Sequence, residues 1–311
     1  MKNKITCLLA GAALFGATAN AEIVLTDELS AYGYIDLAVF DDEGDGNTTT
    51  DAAEFELGFA FTPLESKWSA VAEISFDGDQ GADALDSDWE TVTISYQYSD
   101  TLSFTFGNIL SYQGFETFDA TGLYQYSYAG PQNTPLYSAA YAIGASADGS
   151  LGDIDYGVWV GESTVATEPS DSSYEYLLAY NGIENLTVKF IIADDPNYDT
   201  TNVWASYDYG DFTFAVEHVD TDFEAGAGND LEVTMGMVYY AMGDAGITFR
   251  YVDGEIADAL GIFQDYEKFT ISPSYAFSDN VFGLVEFSTE ELGVGPNSDR
   301  DTAAVELIYS F

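Results

Sequence analysis

Three observations predict an all-β fold, a closed antiparallel transmembrane β-barrel of about 16 strands. Residue character alternates with a period of two almost throughout, the connections alternate between short and long, and the composition is both strongly acidic and rich in aromatics. The 311-residue chain carries 54 Asp and Glu against 7 Lys and Arg, a formal charge of −47, with 47% hydrophobic and 15% aromatic content. That charge excludes nucleic acid as a partner. The apolar content excludes a disordered polyanion, because so many aromatic rings need a surface to bury against. No apolar run of 18 residues follows the first segment, so entry into a membrane must be by strands closed on themselves.

At the start of the chain, Lys2 and Lys4 precede the apolar run TCLLAGAALFGA (6–17) and then Ala19-Asn20-Ala21. This pattern predicts a secretory signal peptide over residues 1–21 and a transmembrane β-barrel over 22–311. Cys7, the only cysteine, would leave with the signal, so no disulfide or thiol chemistry is expected. The basic residues that remain are Lys67, Lys189, Arg250, Lys268 and Arg300.

Sixteen alternating segments follow, near 30–40, 53–62, 67–76, 89–98, 101–109, 136–147, 154–161, 174–181, 186–193, 202–209, 212–219, 231–241, 247–252, 266–277, 281–288 and 302–311. Each is close to the ~9–11 residues that a tilted strand needs to cross a bilayer. EFELGFAFT is the cleanest: Phe55, Leu57, Phe59 and Phe61 share one face, with Glu54, Glu56 and small residues on the other. Segments 154–161 and 247–252 are short and 281–288 has an ambiguous face, so fourteen or eighteen strands would also fit.

The connections add a second signal. Compact turns such as Ser99-Asp100, Gly210-Asp211 and Ser278-Asp279-Asn280 alternate with long acidic stretches such as DGDQGADALDSD (77–88) and STEELGVGPNSDRD (288–301). Long loops on one rim and short turns on the other is the layout of an outer-membrane barrel. Trp68, Trp89, Tyr96, Tyr98, Tyr207, Tyr209, Tyr239 and Tyr309 fall near strand ends, where amphipathic rings favour the membrane interface. The chain ends on AAVELIYSF, whose apolar face runs through Val305, Leu307, Tyr309 and Phe311. Lipid is expected to cover that face, and pairing with the first strand, around SAYGYIDLAVF (30–40), is expected to close the barrel.

These features together resemble the Gram-negative outer-membrane porins over residues 22–311, with sixteen strands the count of the trimeric diffusion porins. Val305-x-Leu307-x-Tyr309-x-Phe311 resembles the signal by which such barrels are recognised by the barrel-assembly machinery. The connection NILSYQGFETFDATGLYQYSYAGPQNTP (108–135) is third among the long ones, and the resemblance makes it the loop that folds into the barrel and sets the constriction; its GFETFDATGLYQYSYA run looks closer to the OmpL-like porin group. The resemblance implies a homotrimer in the outer membrane, in contact with outer-membrane lipid and lipopolysaccharide. One departure stands out: the arginine ladder of general porins is absent from the early strands, whose inward positions are Asp36, Glu54, Glu56, Ser69 and Glu73.

The expected function is passive diffusion of small hydrophilic solutes and ions through a water-filled pore. Cations should be preferred, because carboxylates in a low-dielectric wall focus a negative field. The candidate pore-lining set is Glu116 and Asp119 on the loop, Glu54, Glu56 and Glu73 on one wall, and Lys189, Arg250 and Lys268 opposite. The bland reading is that these charges are solvated lumen positions. Two alternatives stay open: a substrate-specific channel with an aromatic track, hinted at by Trp159, Trp204 and Tyr240, and a structural or adhesive barrel acting through its acidic loops.

No enzyme is expected. His218, the only histidine, follows the lipid-facing Phe212, Phe214 and Val216, and Asp194-Asp195 in a Pro-Asn loop reads as solvated turn. No cofactor is expected either. DDEGDGN (41–47) resembles the first half of a calcium loop, but its twelfth position is Ala52 where a bidentate Glu belongs. Loosely bound Ca2+ or Mg2+ at the acidic loops, bridging to lipopolysaccharide, could use the same residues, and a saline habitat would produce the same composition.

Overall fold

Two-residue alternation over so much of the chain builds one continuous sheet. A computed structural model describes residues 22–42, 47–49, 53–77, 86–137, 140–163, 172–224, 229–257, 262–293 and 299–311. The signal segment 1–21 and much of the acidic long connections, including 43–46 of the calcium-like stretch, lie outside the described residues. The barrel strands are β1 (Leu29–Asp42), β2 (Ala53–Phe61), β3 (Trp68–Asp77), β4 (Asp86–Ser99), β5 (Leu102–Leu110), β6 (Tyr141–Leu151), β7 (Ile154–Glu162) and β8 (Ser172–Ile183). They continue as β9 (Leu186–Asp195), β10 (Tyr198–Tyr209), β11 (Phe212–Phe223), β12 (Leu231–Met242), β13 (Ala245–Ala257), β14 (Phe263–Ser278), β15 (Val281–Leu292) and β16 (Asp299–Ser310). Two short segments, Ile23–Val24 and Asn47–Thr49, pair with β1.

Each strand pairs antiparallel with the next, and β16 returns to β1 from Thr302↔Asp42 to Ser310↔Tyr34. Phe311 and Gly33 exchange two backbone hydrogen bonds, at 2.8 and 2.9 Å, completing the seam. The result is the closed sixteen-strand antiparallel barrel. Closure is what lets apolar side chains face outward, because every ladder bond is satisfied within the wall and no edge is left to lipid.

Alternation then sorts the faces. On β16, Val305, Leu307 and Tyr309 are exposed to the outside while Ala304, Glu306 and Ile308 are buried on the inside. On β15 the ambiguity resolves the same way: Val285 and Phe287 face out, and Leu284, Glu286 and Ser288 face in. Aromatics ring the exterior, with Trp68 packed at a tilt against Tyr96 at 4.7 Å and Phe212 stacked on Tyr240 at 4.4 Å. Tyr240 is therefore on the outer surface, which corrects the sequence reading that turned it into the lumen. Its neighbour Tyr239 points inward and packs on Tyr124 at 5.0 Å.

Two boundaries differ from the sequence reading in an informative way. The sixth strand starts at Tyr141 and not near 136, because Leu136 and Tyr137 are buried in the interior and the Tyr137 hydroxyl donates to the Glu116 carbonyl at 2.8 Å. On the long-loop rim, β9 and β10 are joined by Pro196-Asn197 alone. There Asp195 accepts from the Asn197 backbone N–H at 2.9 Å and from Ser163 Oγ at 2.9 Å, so the Asp194-Asp195 pair is turn chemistry.

Candidate functional site

The segment between β5 and β6, described over 111–137 and at 140, folds into the barrel. Its sequence mixes aromatics, glycines and amides without a strand period, so its backbone groups must be satisfied by the wall it lies on. The inward side chains of β8 to β15 do this. Glu175 of β8 accepts from Ser111 Oγ at 2.6 Å and the Tyr112 N–H at 2.7 Å, Asn202 of β10 accepts from the Gly114 N–H at 3.1 Å, and Glu217 of β11 accepts from the Phe115 N–H at 3.0 Å. Glu286 of β15 accepts from the Ser127 N–H at 3.0 Å.

The cations serve the loop's acceptors. Arg250 of β13 is 1% exposed and bridges Glu116 Oε1 at 2.5 Å, the Ser127 carbonyl at 2.6 Å and the Tyr128 carbonyl at 3.1 Å. Lys268 of β14 donates to the Tyr128 carbonyl at 2.8 Å and lies 3.6 Å from Glu290. Glu116 also accepts from Gln125 Nε2 at 2.8 Å and the Ala129 N–H at 2.7 Å. Lys189 of β9 sits over the Trp204 ring, 4.8 Å from its centroid.

Between these polar ties lies the largest apolar cluster among the described residues. Phe115, Tyr124, Ala129 and Leu136 from the loop pack on Ile191, Trp204, Val219, Val233, Met235, Val252 and Tyr266 from the wall. Phe115 meets Trp204 edge-on at 5.6 Å. One sector of the barrel interior is thus packed as a core.

The opposite sector is built differently. The loop tip, Asp119 and Ala120, approaches β1 to β4, with Ala120 buried against Tyr34 and Ile308, while Phe118 packs on Tyr137 and on Tyr141 of β6. Tyr34 donates its hydroxyl to Glu54 at 2.7 Å, and Ser75 of β3 donates to the same carboxylate at 3.3 Å. Tyr32 reaches across β2 to hydrogen-bond Glu73 of β3. It can do so because Gly58 lies between them in register and has no Cβ; one added there would run into the Tyr32 ring. Glu56 is 4% exposed, and its Oε2 meets no donor among the described residues. The Asp119 carboxyl is pushed up to about 7, first by burial and then by the charges of Glu73 and Glu54.

A residue absent from the sequence-level set joins this wall. One carboxylate oxygen from each of Glu56, Glu90 and Asp119 lies within 4.8 Å of the others. Strict alternation from the outward Val92 and Ile94 would put Glu90 in lipid. The register with β3 slips, however: Ala72 pairs with Val92 and Ile74 with Trp89, so Glu90 and Thr91 together oppose Glu73. This β-bulge re-aims Glu90. Asn108 of β5 caps the loosened carbonyls, donating Nδ2 to Trp89 at 3.1 Å and to Glu90 at 2.5 Å. The preceding Gly107 has φ +136°, a conformation suited to glycine.

The predicted site residues therefore separate. Glu54, Glu56, Glu73 and Asp119 come together with Glu90 at the loop tip, Arg250 and Lys268 lie beneath the loop and hold it with Glu116 of the loop itself, and Lys189 stands apart from both over Trp204. His218 is at neither place and hydrogen-bonds Thr234 at 3.0 Å on the outer face. Trp159 and Trp204 are buried and form no exposed track. The anchoring acids Glu175, Glu217 and Glu286 are absent from the sequence-level set because an inward acid that caps a loop looks the same as one that lines water.

A family profile described as Gram-negative porin matches residues 8–289. No curated protein matches the chain. Among solved structures, it is similar to OmpF of Salmonella typhi in complex with daunomycin, with TM-score 0.74, 15% identity, and 93% of this chain and 100% of that one covered. It is also similar to an anion-selective porin from Comamonas acidovorans, at TM-score 0.65 and 14% identity, covering 91% of this chain and 99% of that one. The trimer form of OmpT of Vibrio cholerae aligns at TM-score 0.63 and 13% identity, over 91% and 99% of the two chains.

Proposed function

The chain belongs to the Gram-negative porin family, and from that premise we propose that it is a cation-preferring diffusion pore whose path runs between the loop tip and the acidic wall of β1 to β4. Family and fold make it a channel of the outer membrane and not an enzyme. The preference for cations is carried by one observation, the segregation of charge inside the barrel. Arg250 and Lys268 are buried under the loop, whereas Glu54, Glu56, Glu73, Glu90 and Asp119 gather on the other side of it. Carboxylates so placed attract cations and repel anions. A neighbour of the same fold is anion-selective, so selectivity has to come from side chains such as these.

The reading extends to the segments around the barrel. Residues 1–21 are removed on export, Val305, Leu307, Tyr309 and Phe311 present the terminal strand to the assembly machinery, and three copies associate, as in the trimeric neighbour. The acidic outer connections meet lipopolysaccharide through divalent cations. Reversal potentials across a planar bilayer in a KCl gradient test the central claim. A potential of the sign for cation preference supports it, and one of the opposite sign overturns it. Large ohmic steps insensitive to added sugars distinguish general diffusion from a substrate-specific channel.

A further inference from the structure

Inside the proposed path, one of the three convergent carboxylates, Glu56, differs from its neighbours in how it is satisfied. Glu54 is capped by Tyr34 and Ser75, and Glu73 by Tyr32. Glu56 has no such cap: it is 96% buried, and its Oε2 finds no donor among the described residues. A buried carboxylate oxygen left without a partner is costly, and two more carboxylates beside it add repulsion. A cation among the three would satisfy that oxygen and offset the repulsion at once. The wall has also departed from regular sheet to make the convergence, since only the bulge opposite Glu73, capped by Asn108, turns Glu90 from the lipid side to the lumen.

We propose that Glu56, Glu90 and Asp119 form a binding site for a calcium-sized divalent cation within the constriction. The inference rests on the porin reading above and deepens it by naming an ion that dwells in the path. Hard carboxylate oxygens suit Ca2+, which takes 6–8 oxygen ligands at ~2.3–2.6 Å, so that ligands on opposite sides of it are up to about 5 Å apart. Three oxygens within 4.8 Å of one another fit around such an ion, and lumen water completes its shell. Mg2+ holds its ligands at ~2.0–2.1 Å in a strict octahedron and fits the same spacing less well. The three ligands come from β2, β4 and the loop tip, so the bound ion would also tie the tip to the wall. It would stand in the way of K+ while resident.

The test uses the full-length folded protein in planar bilayers, with CaCl2 or MgCl2 titrated against a KCl gradient. Millimolar Ca2+ should lower the K+ conductance and move the reversal potential toward zero, with Mg2+ weaker. Glu56→Gln and Glu90→Gln should each raise the Ca2+ concentration for half effect by roughly tenfold, since affinity follows the number of charged ligands. Glu224→Gln, in an exposed outer connection, should leave it unchanged. Terbium luminescence on the detergent-folded protein supplies a readout independent of conduction: its tightest phase should be lost in Glu56→Gln, with gel heat-modifiability confirming that the variant is folded. Equal Ca2+ responses in wild type and both variants would move the site to the outer loops and end the proposal. K+ preference with no response to Ca2+ would end it while leaving the proposed cation preference intact, and anion preference in Ca2+-free salt would overturn that preference itself.

Discussion

Two walls of one barrel, drawn from the same alternating pattern, have opposite fates. Between β8 and β15 the inward side chains are capped or packed by the loop: Glu175, Glu217 and Glu286 hold its N–H groups, Arg250 and Lys268 its acceptors, and Met235 and Val233 its rings. Between β1 and β4 the inward acids gather at the loop tip, where tyrosine and serine hydroxyls donate to Glu54 and Glu73. An inward charge in a barrel is therefore either a clamp or a lining, and its partner decides which.

Arg250→Met should break the covered wall most severely. It strands Glu116 as a buried charge, and losing one member of such a pair costs about 3–5 kcal/mol. Denaturant unfolding followed by gel mobility should show the loss, and single-channel records should become larger and noisier as the loop undocks. Phe115→Ala comes next, at about 3 kcal/mol for an aromatic removed from a packed core. Its signature is protease cleavage within 111–140 while the barrel stays intact.

Swapping the same chemistry between the walls sharpens the contrast. Glu217→Ala should destabilise by about 1–3 kcal/mol, since the Phe115 N–H and Asn202 lose their acceptor, and should barely move the reversal potential. Glu54→Gln with Glu73→Gln should do the reverse, shifting the reversal potential toward zero with stability held within about 1 kcal/mol. Comparable selectivity changes from both would erase the distinction between the walls. The smallest effect is expected from Tyr34→Phe, which removes one hydrogen bond to Glu54 worth about 1 kcal/mol, read as a small change in conductance.

Much of this was legible in the residues. The sixteen strands, the lipid face ending at Phe311, the closure onto β1 and the intrusion of the third long connection follow from period, turn chemistry and family resemblance. Two misreadings have physical causes. Tyr240 was placed in the lumen, although the register sets it against Phe212 on the outside. Glu90 was passed over because alternation assumes an unbroken ladder, and one bulge reverses the face of whatever lies beyond it.

Away from the β4 bulge, alternation by itself settled which side chains meet hydrocarbon, because a period of two is a local property of an unbroken strand. The sequence also settled that the wall must close, since lipid offers nothing to an unpaired backbone. Which inward charges meet water was decided only in three dimensions. Glu116 and Arg250 stand 134 residues apart and cancel each other only because the loop lies down on β13, while Glu56 and Asp119 meet only because its tip does not.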